Sequence, residues 1–363
     1  MRIDSIDARV LEIPFRVAFR HASAERRAMQ SVWVEVRSAG NALGLGEGCP
    51  REYVTGESVE GALGFVARHR DEWCATIDGV DALRAWVHAN RACIDANPAA
   101  WSAVELALLD CMGREASLSV EALLRVPALG GRYRYAAVIG DGSPAAFEAQ
   151  LAQYVQSGFR DFKIKLSGDV ERDRAKVRAL AAAGIAPGSV RADANNLWQV
   201  PAQAIAHLSS LEFPFFAIEE PLRAGDYAGM REMARALHAS MILDESALRV
   251  EQLEALSEDA RHWIVNLRIS KMGGLIRSID VARKAKALGL RLIVGAHVGE
   301  TSVLTRAGLT IATFAREMLV SQEGAFGTHL LERDVVTPSI MFGPGGVLDA
   351  PPPGAGLGLI MQA

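Results

Sequence analysis

The chain has 363 residues, half of them hydrophobic and 23% charged, with a formal net charge of -4. That composition suits a soluble globular protein with room for one large domain and a smaller one. It excludes a strongly basic nucleic-acid binder. Charges also break every long apolar run well short of a membrane span, so neither nucleic acid nor membrane is expected as a partner.

The N-terminus, Met1-Arg2-Ile3-Asp4-Ser5-Ile6, carries an acid at once and has no apolar h-region, so no signal peptide is expected. Val32-Trp33-Val34-Glu35-Val36-Arg37 alternates like a strand, and Gly44-Leu45-Gly46-Glu47-Gly48 reads as turn-rich. Helical stretches follow over 58–71, 80–92 and 99–114, the last with apolar residues at helical spacing around Trp101, Val104, Leu108 and Cys111. Residues 1–125 therefore read as an α+β domain. The four cysteines, Cys49, Cys74, Cys93 and Cys111, are scattered without metal spacing, which suits reduced thiols in a cytoplasmic protein.

From about Tyr135 the pattern changes to repeating strand and helix. Strands are expected to begin near Ala136, Asp161, Ser189, Phe215, Met241, Trp263, Arg291 and Met318, with helices such as 170–183 and 276–288 between most of them. Eight such units in roughly 200 residues predict an α/β fold, a (β/α)8 or TIM-type barrel over 126–337, its last helix shortened or replaced. The Gly- and Pro-rich tail, 338–363, is expected to return to the first domain.

Barrel chemistry sits at the C-terminal ends of strands. Lys163 and Lys165 lie one residue apart, so a strand projects both to one face. Three later apolar runs end in Asp193, Glu219 and Asp244, about 25 residues apart, as one strand plus one helix requires. Three converging buried acids repel unless a cation neutralises them, and oxygen-only donors select a hard ion such as Mg²⁺, with Mn²⁺ as an alternative. Beside another cation a lysine loses its proton more readily, which makes Lys165, next to Lys163, the candidate base. Asn195, two residues past Asp193, is a candidate support for the ion, whereas Glu220 and Glu245 should point elsewhere.

Lys163-Ile164-Lys165, Asp193-Ala194-Asn195, Ile218-Glu219-Glu220-Pro221, Leu243-Asp244-Glu245-Ser246 and Lys271-Met272-Gly273-Gly274 together resemble the enolase superfamily, and within it the muconate lactonizing subgroup. The resemblance reaches 101–110 in the first domain and covers nearly the whole chain. It implies an N-terminal capping domain over the barrel mouth, Mg²⁺ on Asp193, Glu219 and Asp244, and a Lys165 that removes a proton α to a substrate carboxylate to give an enediolate. It also implies a homo-oligomer.

One position departs from the subgroup. Where a second catalytic lysine is usual on the sixth strand, this chain has Arg268, with Lys271 left as a supporting residue. Arginine stays protonated and is a poor base, though it can hold an anion. Cycloisomerisation or syn elimination from one face is therefore the leading expectation. His297, at the end of strand seven, keeps open a racemase or epimerase with two opposed bases, and an inactive binding scaffold is the third reading. The resemblance also makes Arg20, His21, Arg51 and Tyr53 in the first domain candidates for reading the substrate. On strand eight, Glu323 could engage a cation or hydroxyl and Phe326 an apolar group, while the Asp-X-Asp pattern of the family's dipeptide epimerases is missing from 322–327.

Overall fold

The computed structural model describes residues 1–21 and 24–362; the side chains of 17–26, with those of Arg20 and His21, lie outside the described residues. Strands β1 (Ile3–His21) and β2 (Ala24–Ser38) form a long antiparallel ladder, and β3 (Leu43–Gly48) pairs with β2. Helices α1 (Val59–Thr76), α2 (Val80–Ala89) and α3 (Pro98–Ala116) complete this unit.

The glycine-rich stretch expected to turn is β3 itself. A Cβ on Gly44, Gly46 or Gly48 would overlap the carbonyl oxygen of Ala107, Ala103 or Ala99, respectively. Two strand residues rise about 6.6 Å and four helix residues about 6 Å, so a strand glycine every second residue meets α3 every fourth. The bare backbone lets the helix lie directly on the sheet. Helix α3 is buried on all sides from Pro98 to Gly113, because the barrel covers its other face. At its start, the buried Glu57 carboxylate accepts from the Ala99 and Ala100 N–H groups that the helix leaves unpaired.

Eight parallel strands follow: β4 (Ala137–Ile139), β5 (Phe162–Lys165), β6 (Val190–Asp193), β7 (Ala217–Glu219), β8 (Ser240–Leu243), β9 (Trp263–Leu267), β10 (Arg291–Val294) and β11 (Leu319–Gln322). They are hydrogen-bonded in chain order, and Ala136 N donates to Gln322 O at 2.8 Å to close the ring. This is a modified TIM barrel beneath an α+β cap. Helices α4 (Pro144–Gln156), α5 (Val170–Ala182), α6 (Pro201–Ser210), α7 (Tyr227–Leu237), α8 (Leu275–Ala287) and α9 (Ser302–Phe314) cross between strands. Between β8 and β9 the main crossover element is a 3₁₀ segment, Val250–Leu256. Its apolar residues Val250, Leu253 and Leu256 recur every third position, the 3₁₀ period. After β11, the helical segments among the described residues are the 3₁₀ turns Gly327–His329 and Pro344–Gly346.

The tail returns to α3, where Leu357 N donates to Asp110 Oδ1 at 2.7 Å. Among the described residues, no helix is long and apolar enough to cross a membrane.

Candidate active site at the barrel rim

Parallel register sets the site. Lys165 pairs with Asp193, and Asp193 with Glu219, so three neighbouring strands end level with one another. Asp244 lies one residue beyond β8 rather than within it, which corrects the expected strand end by one position. It is held there by Glu220, whose buried carboxylate accepts from the N–H groups of Asp244 and Ser246 and from Ser246 Oγ. Glu220 turns away from its neighbour because its backbone is left-handed, with φ 37°. Asn195 and Asn196 share that conformation, at φ 45° and 59°. Positive φ at non-glycine residues clusters where a surrounding structure enforces function.

The two lysines do share a face, but not an environment. Lys163 is buried and lies 3.0 Å from Asp193 Oδ2, 2.7 Å from Glu219 Oε2 and 3.1 Å from Glu323 Oε2. Burial disfavours its charge, yet the three carboxylates overcome that and hold its pKa well above the usual lysine value. Lys165 donates to Asp193 Oδ2 at 2.6 Å and to Asn195 Oδ1 at 2.7 Å, and its side chain keeps 18% exposure against 4% for Lys163. Burial pushes the Asp193 carboxyl up, but Lys163 and Lys165 outweigh it and bring the pKa down to about 2.

On the far side, Arg268 donates to Asp244 Oδ2 and stands 3.8 Å from Glu219 Oε1. Lys271 is fully buried and donates to Asp244 Oδ1 and O, both at 2.8 Å, and to Asn266 O at 2.7 Å. Against the upward push of burial, Arg268 and Lys271 lower the Asp244 pKa to about 2. Burial likewise opposes charge on Arg268, and Asp244 and Glu219 reverse it, so the guanidinium stays ionised. His297 is buried at the end of β10, with Nδ1 3.5 Å from Glu300 Oε1.

The expected specificity residues divide. Arg51 is buried, and its guanidinium donates to the carbonyls of Gln30, Pro50 and Val298, a junction between the cap and the loop after β10. Both Glu323 oxygens are occupied inside the barrel, one by Lys163 and the other by Arg191 at 3.1 Å. Tyr53 is 51% exposed on the cap. Phe326 packs edge-on against Phe342, with ring centroids 5.3 Å apart. Sequence reasoning missed Arg191 and Asn266. The first was findable, since the period of two along 189–193 puts Arg191 on the face of Asp193.

Among the described residues, no three His, Cys, Asp or Glu side chains form a ready-made metal cluster, because Lys163, Arg268 and Lys271 stand among the acids. The donor set still suits a hard cation. It is all oxygen, and the buried Glu219 Oε2 accepts no aligned hydrogen bond, its contact with Lys163 being an ion pair. A cation held by these acids would have to share Asp244 with Arg268.

The sequence matches the N-terminal domain described as mandelate racemase / muconate lactonizing enzyme over residues 5–125, and the enolase C-terminal domain-like family over 146–363. The chain belongs to the mandelate racemase / muconate lactonizing enzyme family. Within this family of the enolase superfamily, a hydrophobic dipeptide epimerase of Enterococcus faecalis is 25% identical over 86% of each chain. An N-succinyl-L-Arg/Lys racemase of Bacillus cereus is 24% identical over 89% of this chain and 87% of its own. A chloromuconate cycloisomerase of Cupriavidus pinatubonensis is also 24% identical, over 90% of this chain and 88% of its own. The crystal structure of the dipeptide epimerase from E. faecalis V583, with Mg and L-Leu-L-Tyr, superposes with a TM-score of 0.84 at 23% identity, covering 99% of this chain and all of that one.

Proposed function

We propose that this enzyme is an epimerase or racemase, exchanging the proton on the carbon next to a carboxylate of a small substrate. In this reading Lys165 is the base on one face of the substrate and His297 the base on the other. The observation that carries the reading is the unequal burial of the rim cations. Lys163, Lys271 and Arg191 are locked in interior ion pairs, while Lys165 keeps its amine at the open end of the barrel between Asp193 and Asn195. A base must reach its proton, and the exposure that Lys165 retains supports it in that role. The epimerases and racemase among the relatives weigh towards two-faced chemistry over the cycloisomerisation first expected.

Asp193, Glu219 and Asp244 would hold Mg²⁺, which when bound supplies Lewis-acid stabilisation of negative charge on the substrate carboxylate. Arg268 cannot take a proton at working pH, so its part is to hold anionic charge. Tyr53 and Phe326 are the side chains we assign to substrate contact.

Arg268 also supports a second reading. With the usual second lysine replaced by a permanently charged group, chemistry confined to the Lys165 face gives elimination or cycloisomerisation. Proton exchange in deuterium oxide with Mg²⁺ separates the two. The panel is L-Leu-L-Tyr, L-Ala-L-Glu, N-succinyl-L-arginine and 2-chloromuconate. Deuterium in both epimers of one substrate supports epimerisation, and a lactone or unsaturated product supports the second reading. In Lys165→Ala, exchange should fall by about 10³-fold, the scale of a general base. Exchange that survives this substitution removes Lys165 from the chemistry.

A further inference from the structure

Strand β5 ends at Lys165, and its pairing with β4 stops one residue earlier, at Ile164 and Ile139. The Lys165 carbonyl is taken up from outside the sheet. Lys176, in the second turn of α5, reaches back and donates Nζ to it at 2.8 Å. The same ammonium donates to Asp141 Oδ1 at 2.7 Å and to Asp173 Oδ1 at 2.9 Å, so its three hydrogens meet three acceptors. Lys176 is 4% exposed. Neither acid is loose. Asp141, in the loop after β4, accepts from Arg172 at 2.9 and 3.0 Å. Asp173 accepts from the N–H groups of Ser167 and Gly168, the turn directly after Lys165, and lies 3.1 Å from His207 Nε2 of α6.

The geometry points to Lys176 as a positioning residue for Lys165, an inference that rests on Lys165 being the base. The carbonyl of Lys165 and its Cα–Cβ bond share one backbone unit. Fixing the carbonyl orientation and the turn that follows therefore fixes where the side chain departs, and its amine lands between Asp193 Oδ2 and Asn195 Oδ1. Lys176 touches none of the rim groups that face the substrate. It acts from the outer surface of the barrel, through the main chain. A displacement of about 1 Å at a reacting group can cost about 100-fold in rate, so a tie on this scale governs turnover without governing substrate affinity.

The test compares wild type with Lys176→Met, which keeps the side-chain length and removes all three donors, and Lys176→Arg, which restores donors. Crystal structures of wild type and Lys176→Met read the position directly, with no substrate needed. Lys165 Nζ is expected to move more than about 1 Å from Asn195 Oδ1, and an unmoved Lys165 overturns the inference. Exchange of L-Leu-L-Tyr, or of whichever panel member reacts, reads the consequence. The kcat of Lys176→Met should drop about 10- to 100-fold with KM within about twofold, and Lys176→Arg should recover most of it. A loss of activity that only follows the folded fraction, with no recovery in Lys176→Arg, assigns Lys176 to stability alone. Should Lys165→Ala retain exchange, the base assignment fails, while displacement of the Lys165 amine in Lys176→Met still stands. If Lys176→Met does not fold, Asp141→Asn loosens the same ammonium. A lower kcat at unchanged KM supports the inference there, and an unchanged kcat overturns it.

Discussion

Asp193, Glu219 and Asp244 occupy one rim, yet each is neutralised differently. Asp193 and Asp244 face two cations apiece and are held ionised, near 2. Glu219 sits between them, where burial raises its pKa and Lys163 only partly offsets that. If these acids hold Mg²⁺, Asp193→Asn, Glu219→Gln and Asp244→Asn should each weaken its binding at least tenfold, or about 1.4 kcal/mol, in calorimetric titration. Unchanged affinity in all three would place the metal elsewhere. The sequence was informative at this scale because the chemistry lies in residue identity at strand ends. It was less informative about Glu323 and Arg51. Both looked available to a substrate, and partners distant in the chain occupy them, Lys163 and Arg191 in one case and the carbonyls of Gln30 and Val298 in the other.

Among the elements, β3 shows how local reading fails. Glycine favours turns in isolation, so Gly44, Gly46 and Gly48 read as one. Their reason lies more than 50 residues away, in the alanine carbonyls of α3. A methyl group at Gly46 must displace either the strand or the helix backbone. Gly46→Ala should therefore destabilise the protein by about 3 kcal/mol in urea denaturation, at the upper end of ordinary overpacking. A loss under about 0.5 kcal/mol, the usual range of a surface substitution, would mean that the interface yields easily. In the 3₁₀ crossover the three-residue spacing of Val250, Leu253 and Leu256 lines one face of an α-helix as well as of a 3₁₀ helix, so packing decided between them.

Across the whole molecule, buried carboxylates of the cap dock on helix starts of the barrel. Glu47 accepts from Thr301 N at 3.1 Å and from Thr301 Oγ1 at 2.6 Å, at the head of α9. Glu105 accepts from Ile276 N at 2.9 Å, at the head of α8. Glu121 and Arg306 add a buried bidentate pair, at 2.8 and 3.0 Å. Burial pushes Glu47 and Glu105 up to about 7, against the lowering by those donors. A carboxyl raised by folding stabilises the folded state fully below its unfolded value of 4.5, and that contribution is lost as pH rises through about 7. For Glu105 the span corresponds to about 3 kcal/mol. Stability measured by urea denaturation from pH 4.5 to 7 should fall less steeply in Glu105→Gln than in wild type, by about that amount across the range. Parallel slopes in the two proteins would show that Glu105 ionises in the folded state at its ordinary pKa.

The barrel, the α+β first domain and the acids of the rim were legible in the chain, since strand period, helix spacing and carboxylates near successive strand ends are all local patterns. The capping role of the first domain came from the family resemblance. Tertiary structure alone decided which of two neighbouring lysines stays accessible, which charged side chains are consumed by interior ion pairs, and why β3 is a strand. Each of those depends on what distant segments bring within about 3 Å, a distance at which burial and Coulomb forces act and which chain order does not encode.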